Sequence, residues 1–125
     1  MFLDIYKAET ENVQELYKNC HAIVHPTFHE GMSNILQEAA ATGRPLLASN
    51  IHGCKEIIDE HKNGFLFEPK NSESIVSAIE KFIKLPYTEK IAMGTYSRKK
   101  VEKEFDRNII VNKYLKTIKE LVNRV

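Results

Sequence analysis

Short apolar segments alternate with helical patterns along this chain, and that alternation constrains its fold more than any other feature. Each predicted strand is three or four residues long, mostly apolar, and bounded by proline, glycine or polar residues. The predicted strands are residues 22–25, 46–49 and 65–67, and apolar residues at helical spacing predict helices over 11–19, about 34–42 and 72–84. Strands that alternate with helices predict an α/β fold with a parallel sheet, and continuously apolar strands fit a sheet covered on both faces.

Further elements extend this pattern toward both ends. The sequence predicts a strand at 2–6, a short helix at 54–59, a helix from near Thr88 and a last helix at about 107–124. The apolar residues expected to face inward are Ile35, Leu36, Ala39 and Ala40 in the helix after strand 22–25, and Ile75, Val76, Ile79, Phe82 and Ile83 in the helix at 72–84. The last helix has a single apolar face, formed by Val111, Tyr114, Leu115, Ile118, Leu121, Val122 and Val125. The basic run 98–100 is expected to form a solvated helix face.

The composition is that of an ordinary globular domain. The chain has 125 residues, of which 42% are hydrophobic and 28% charged, and its net charge of +1 gives no indication of nucleic-acid binding. No apolar run approaches the ~18 residues that a membrane span needs, and the N-terminus lacks a signal-peptide pattern. Cys20 and Cys54 show no CxxC spacing and fit a reducing compartment, so we expect a cytoplasmic protein.

A loop that opens into a helix at residues 27–42 is the strongest candidate site. It follows the predicted strand 22–25, and ligands of parallel α/β sheets bind outside the carboxyl ends of the strands. Ser33 is a candidate N-cap, and the N–H groups of the first helical turn have no intrahelical partner and favour an anion. Gly31 would let a ligand approach the backbone closely.

Two carboxylates, Glu30 and Glu38, lie eight residues apart in this unit, the first in the loop and the second in the helix. Glu38 shares a helix face with Asn34 and Thr42 because the three are spaced by four residues. A carboxylate there can accept two hydrogen bonds from a vicinal diol, as ribose recognition requires. From spacing alone, solvated charges are the commoner explanation, as for most glutamates.

Three histidines, His21, His25 and His29, repeat every four residues and raise the question of a metal site. The segment is predicted to be a strand, in which residues four apart are ~13 Å apart, too far to share one ion. The pair His29–Glu30 does not begin an HExxH motif either, because Ser33 occupies the fifth position. We therefore expect no metal, whereas His29 could line a sugar pocket.

Several ordered motifs in this chain resemble one family. Glu30 and Glu38 form Glu-x7-Glu, followed by Ala-x-Ala-x-Gly-x-Pro, and residues 53–58 contain Gly-x-x-Glu-hydrophobic. Residues 63–69 read Asn-Gly-Phe-Leu-Phe-Glu-Pro, and residues 16–27 resemble the helix and strand that lead to the first glutamate. Together they resemble the C-terminal, donor-binding domain of retaining GT-B glycosyltransferases, the glycosyl transferases of group 1 or family 4. The resemblance covers about residues 10–85 of what we expect to be a single domain, 1–125, with C-terminal helices in about 86–125.

The resemblance implies a role for each residue of the loop and helix. Glu30 is expected to be the catalytic residue that contacts the donor sugar, and Glu38 to hold the ribose hydroxyls. The other expected donor-binding residues are His29, Gly31, Met32, Ser33 and Asn34. The substrate would be a nucleotide sugar, with no cofactor and no metal, and the helix N-terminus and basic side chains would face its diphosphate.

The resemblance also implies that parts of a complete enzyme have no counterpart here. Family members have two Rossmann-like domains, whereas this chain matches the donor domain from its third strand, which would be residues 2–6. In a 3-2-1-4-5-6 order the unmatched strands are central, so strand 22–25 would become an edge. We expect that residues 2–6 pair with it, that two copies pair, or that 2–6 is disordered. The last helix should pack onto this remnant or onto a partner.

Three functions are compatible with these expectations. The first is a glycosyltransferase part that binds the donor for hexosyl transfer to a saccharide or lipid-linked acceptor, in surface polysaccharide biosynthesis, and is inactive alone. The second is a non-catalytic remnant that acts as a nucleotide-binding or protein-interaction module, and the third is a related nucleotide-sugar epimerase. Expected partners are the nucleotide sugar, a chain supplying the acceptor domain and a second copy through strand 22–25. Nucleic acid and membrane insertion are not expected, although a partner could bring the chain to the inner membrane face.

Overall fold

The computed structural model describes residues 13–29, 31–104 and 107–123, and within them helices and strands alternate up to residue 49 as the sequence predicts, whereas no helix separates the strands at 46–49 and 64–67. The predicted strand at 2–6 lies outside these residues. The elements in chain order are α1 (Val13–Lys18), β1 (Ile23–His25), α2 (Asn34–Ala41), β2 (Leu46–Ser49), β3 (Gly64–Phe67), α3 (Ser72–Ile83), α4 (Tyr87–Glu104) and α5 (Arg107–Asn123).

The three strands form one parallel sheet in the order β1-β2-β3. In register, Ile23 lies opposite Leu46, and Leu46 in turn lies opposite Gly64. The α/β fold class and the parallel sheet are thereby confirmed. Because all strands run in the same direction, the loops that leave β1, β2 and β3 meet at one edge of the sheet, where ligands of such sheets bind.

Both faces of the sheet are covered, as the continuously apolar strands predict. Along β2, Leu46 and Ala48 pack in one buried cluster with α2, while Leu47 points into the other with Phe65 and Phe82. Side chains alternate across a strand, so every residue of β2 is buried against one helical layer or the other. Burial of this central strand fixes the position of the loop that precedes α2.

The predicted short helix at 54–59 is wrong, because this segment forms successive turns. The carboxamide of Asn63, which is fully buried, explains the difference. Its Nδ2 donates to the carbonyl of Ile57 at 3.0 Å, and its Oδ1 accepts from the amide of Asp59 at 2.7 Å. These two backbone groups are thus bound by a side chain, and a continuing helix would need them for its own ladder.

Three residues expected to face inward are exposed: Ile35, Val76 and Ile83. In α2 the buried stripe begins one residue later, with Leu36, and Ile35 lies on the side of the first turn next to the loop. In α3 only one narrow stripe, centred on Ala78 and Phe82, packs against β3. The apolar faces predicted for α2 and α3 therefore include residues that the neighbouring layer does not cover.

The apolar face predicted for the last helix is exposed in its described part. The residues Leu115, Ile118, Leu121 and Val122 belong to that face, and all of them are exposed. A partner that covers this face stays a prediction. Across the described residues, no helix is both long and apolar enough to cross a membrane.

Strand β1 pairs with β2 on one side. Within the described residues no strand lies on its other side. The three expected outcomes for that edge all involve residues 2–6 or a second copy, and they stay predictions.

Candidate functional site

The loop after β1 is held by short hydrogen bonds and reaches the loop after β3. The amide of Thr27 donates to the carbonyl of His25 at 3.1 Å, and its hydroxyl donates to the carbonyl of His29 at 3.1 Å. Phe28 is exposed, and the ammonium of Lys70 lies 5.0 Å from its ring centroid. Since Lys70 follows β3, the loops at the carboxyl ends of β1 and β3 are in contact, and a cation stands at this edge.

Ser33 is the N-cap of α2, as the sequence predicts. Its side chain is fully buried, and its hydroxyl oxygen accepts from the amide of Leu36 at 3.2 Å. Its own amide donates to the carbonyl of Gly53 at 3.1 Å. Of the four N–H groups that a helix start leaves without intrahelical acceptors, two are thus bound within the protein. The other two, on Asn34 and Ile35, have no acceptor among the residues that the structure describes.

A second turn, after β2, supports this N-cap. Gly53 has a φ of 93°, which favours glycine, and its amide donates to Oε2 of Glu56 at 2.7 Å. The other carboxylate oxygen lies 2.8 Å from Nδ1 of His52. Burial acts to raise the pKa of the Glu56 carboxyl, but hydrogen bonds from its own amide and that of Gly53, together with His52, lower it overall. Glu56 therefore fixes the peptide that holds Ser33.

The residues predicted to contact the donor form an exposed segment around this cap. His29, Gly31, Met32 and Asn34 are exposed, whereas Ser33 is buried and acts through its backbone and cap. A methyl group built on Gly31 would meet nothing within 4 Å, so space for a ligand adjoins the backbone there. Glu30, the predicted catalytic residue, lies outside the described residues. The donor-contact roles of all of them remain predictions.

Glu38, the predicted ribose-binding carboxylate, lies one turn after Asn34 in α2 and is exposed. The hydroxyl of Tyr17 donates to its Oε2 at 3.4 Å. Burial of the Tyr17 ring, then the charge and hydrogen bond of Glu38, raise the pKa of this phenol to about 12. On the same face, the Thr42 hydroxyl donates to the backbone carbonyl of Glu38 at 2.9 Å, so it is already used within the helix.

A cavity in the described part of the chain lies elsewhere. It measures about 570 Å³ and is formed by the turn before β2, with Arg44 and Pro45, and by α4, with Lys90, Ile91 and Arg98. Arg44 donates to the last carbonyls of α1, and Arg98 to the last carbonyl of α2. These guanidinium groups compensate the negative ends of two helices, and the cavity stands at the amino end of β2. We therefore place the candidate site at the loop and not in this cavity.

Metal ligands are not grouped in the described residues: no three His, Cys, Asp or Glu side chains come close enough together to hold an ion. His29 lies in the loop and His25 at the end of β1, in keeping with the strand predicted there.

The parallel α/β fold formed by these elements is also found in known glycosyltransferases. Residues 5–100 match the family model of glycosyl transferases group 1, so the chain belongs to that family.

Similar proteins include glycosyltransferases of two bacteria. One is the Campylobacter jejuni N,N'-diacetylbacillosaminyl-diphospho-undecaprenol alpha-1,3-N-acetylgalactosaminyltransferase, 28% identical over 121 residues, which are 96% of this chain and 31% of that protein. Another is the Staphylococcus aureus capsular polysaccharide biosynthesis glycosyltransferase CapM, 32% identical over 94 residues, 75% of this chain and 24% of that protein. The chain thus spans about a third or less of the length of these relatives.

Solved structures show the same fold. Anabaena HepE in complex with UDP superposes with a TM-score of 0.83 at 21% identity, over 89% of this chain and 30% of that one. At this identity the similarity establishes the fold alone.

Three supporting residues were missed by reasoning from the sequence alone. Tyr17 lies in the predicted helix 11–19, where spacing gives no sign that its hydroxyl reaches Glu38. Glu56 belongs to the Gly-x-x-Glu-hydrophobic motif, and its bond to the Gly53 amide shows a supporting role. Gly94 was not singled out, although a lone glycine inside a helical pattern is a signal of close packing.

Proposed function

We propose that this chain provides the donor-binding side of a glycosyltransferase that transfers a hexosyl group from a nucleotide sugar to a saccharide or lipid-linked acceptor. The main support is the start of α2, where Ser33 leaves two backbone amides for an anion beside the exposed Gly31 and Asn34. The Campylobacter relative is named for a diphospho-undecaprenol acceptor, and HepE was crystallised with UDP. The Staphylococcus relative is named for capsular polysaccharide biosynthesis, which supports a role in surface polysaccharide biosynthesis.

In this proposal each part of the donor meets a different part of the loop and helix. The diphosphate lies at the amides of Asn34 and Ile35, where the helix dipole favours negative charge. The ribose diol is held by Glu38, which lies one helical turn after Asn34 on the same face of α2. The sugar ring lies over the backbone at Gly31, with Glu30 as the catalytic residue and His29 and Met32 beside it.

The binding part of the proposal is tested by ligand-observed NMR on the 125-residue chain with UDP, GDP, ADP and their sugars. We expect one base to be preferred, and the Glu38→Ala variant to bind that ligand more weakly. The matched control is Glu80→Ala, an exposed glutamate of α3. If no nucleotide binds, or if both variants bind like the wild type, the proposed donor site is wrong.

Transfer itself requires a second substrate site. The chain spans about a third or less of the length of its curated relatives, and we propose that it does not turn over a donor alone. Adding the remaining part of a group 1 transferase as a separate chain should restore transfer, measured as release of the nucleoside diphosphate. Turnover by the 125 residues without any addition would contradict this part.

A second candidate function, that of an interaction module, is favoured by helix α5. Its exposed side chains Leu115, Ile118 and Leu121 recur at helical spacing, and such a stripe is usually covered. We propose that it contacts the acceptor-binding part of the enzyme, and that the side of β1 away from β2 is a secondary site of self-association. Light scattering should show a complex with that part that is lost in Ile118→Glu but retained in the control Lys119→Glu. A complex that survives Ile118→Glu would contradict the assignment.

A further inference from the structure

We infer that Tyr17 is a positioning residue for the donor: its hydroxyl holds one oxygen of the Glu38 carboxylate so that the other is presented to the ribose diol. The inference rests on the proposed function, since it concerns the same site. The geometry behind it is the hydrogen bond from the Tyr17 hydroxyl to Oε2 of Glu38, at 3.4 Å, between α1 and α2. Only Oε2 is engaged in this bond, so Oε1 can accept from a ligand.

Tyr17 is well placed for this role because it is fixed at several points. Its ring is only 5% exposed and belongs to the same buried cluster as Leu36 and Ala39 of α2. Its backbone carbonyl accepts from Nε of Arg44 at 2.8 Å, which ties the end of α1 to the turn after α2. The hydroxyl is therefore held in place by packing on one side and by the backbone on the other.

Glu38 by contrast is exposed, and an exposed glutamate samples many rotamers. Ordering such a side chain opposes ligand binding, and a partner that orders it beforehand removes part of that cost. The phenol also stays protonated, because burial and the neighbouring carboxylate raise its pKa to about 12. It therefore remains a hydrogen-bond donor to Glu38 at neutral pH.

The decisive variant is Tyr17→Phe, which keeps the buried ring and removes only the hydroxyl. Isothermal titration with UDP, GDP and ADP should show the preferred ligand bound about threefold to tenfold more weakly than by the wild type, the loss expected for one side chain left mobile. The affinity for the 2′-deoxy counterpart of that ligand, which lacks one hydroxyl of the diol, should fall by a smaller factor. If Tyr17→Phe lowers the affinity for both ligands by the same factor, or lowers neither affinity, the inference is overturned.

A matched control distinguishes positioning from general stability. Tyr96 of α4 also donates its hydroxyl to a carboxylate, Oδ2 of Asp59, at 2.6 Å. We expect Tyr96→Phe to lower the melting temperature and to bind nucleotide like the wild type. In the Glu38→Ala background, Tyr17→Phe should weaken binding no further, because the carboxylate that it positions is gone. If Tyr17→Phe weakens nucleotide binding in the Glu38→Ala background by the same factor as in the wild type, Tyr17 does not act through Glu38.

The same experiments separate the inference from the proposed function. If the wild type binds no nucleotide, or Glu38→Ala binds normally, the proposed site fails and the inference fails with it. If Glu38→Ala weakens binding but Tyr17→Phe does not, the inference alone is wrong.

A measurement without ligand tests the contact directly. Neutralising the carboxylate in Glu38→Gln should lower the pKa of the Tyr17 phenol, followed by NMR of chains labelled at the tyrosine ring. An unchanged phenol titration would show that the two groups are not in contact and would overturn the inference.

Discussion

The two ends of helix α2 are built in opposite ways. At its C-terminus the amide of Gly43 donates to the carbonyl of Ala40 at 2.9 Å and that of Arg44 to Ala39 at 3.1 Å, the pattern of a Schellman motif. Helix α4 packs directly on this turn through Gly94, and Arg98 caps the last carbonyl. At its N-terminus one buried cap, Ser33, is followed by exposed residues and by two amides without intrahelical acceptors.

This difference explains how a short helix can hold a ligand. The C-terminus of α2, which we call the closed end, is saturated with hydrogen bonds and packed against α4, so it sets the position and direction of the helix. The N-terminus, which we call the open end, can then leave backbone amides and the Glu38 face toward solvent without losing its geometry. Changes at the closed end should therefore act on stability, and changes at the open end on binding.

The largest effect on stability is expected from Gly94→Ala. The added methyl group would lie 2.2 Å from the carbonyl oxygen of Gly43, a backbone atom that cannot move aside. Alanine gains about 1 kcal/mol of helix propensity over glycine, but overpacking against backbone costs about 1–3 kcal/mol or more. We expect net destabilisation of about 2 kcal/mol, measured by urea unfolding. A variant as stable as the wild type would show that α4 does not rest on this turn.

The next effect is expected from Ser33→Ala, which removes the cap at the open end. Loss of an N-cap costs about 1 kcal/mol, because here the Leu36 amide loses the acceptor that the Ser33 hydroxyl supplies. Asn71 is a matched control, because it caps α3 by accepting from the Ser74 amide at 3.0 Å. Both Ser33→Ala and Asn71→Ala should lower stability by similar amounts, but only Ser33→Ala should weaken nucleotide binding. Equal binding by the two variants would mean that the start of α2 does not contact the ligand.

A smaller effect on stability is expected at Asp59, which pairs with two residues of α4; we call this group of three residues the clamp. Nζ of Lys100 lies 2.8 Å from Oδ1 of Asp59, and the hydroxyl of Tyr96 donates to Oδ2 of the same carboxylate. The hydrogen bonds from Lys100 and then Tyr96 hold the pKa of the Asp59 carboxyl below its ordinary value of 3.8. As the pH falls, Asp59 is therefore protonated in the unfolded chain before it is protonated in the folded chain. Its contribution to the free energy of unfolding is complete above about pH 5 and is lost on acidification.

Because the Asp59 side chain is 40% exposed, solvent screens this contribution, and we expect it to be below about 1 kcal/mol. The melting temperature of Asp59→Asn should fall less between pH 5 and pH 3 than that of the wild type. Tyr96→Phe, which removes one of the two donors, should give an intermediate slope. Parallel slopes for all three proteins would contradict the clamp.

The sequence predicted whatever depends on local pattern. The three strands, the bounds of α2 and its termination at Gly43 follow from apolar runs, helical spacing and the glycine that a φ of 80° requires. The family of the chain followed from motifs in the same segments. These features need no knowledge of distant neighbours.

The predictions failed where the local structure or burial of a residue depends on a contact with a residue further away in the sequence. Lys100 was expected in a solvated run, yet its side chain is only 9% exposed, because Asp59 pairs with it from 41 residues away. Asn63 converts a predicted helix into turns by binding backbone groups four and six residues earlier. The role of Tyr17 at Glu38 likewise depends on how α1 packs on α2, which periodicity alone does not reveal.

The smallest effect on stability, and the sharpest test of the comparison, is expected from Gly31→Ala at the open end. The added methyl group meets no protein atom within 4 Å, so the free energy of unfolding should change by less than about 0.5 kcal/mol. The same methyl group would occupy the space that we assign to the donor sugar. Binding of the preferred nucleotide sugar should therefore weaken severalfold, and binding of the nucleoside diphosphate alone should weaken less. If both affinities stay unchanged, the sugar does not lie over this backbone, and the open end of α2 would have to bind its ligand through the amides of Asn34 and Ile35 alone.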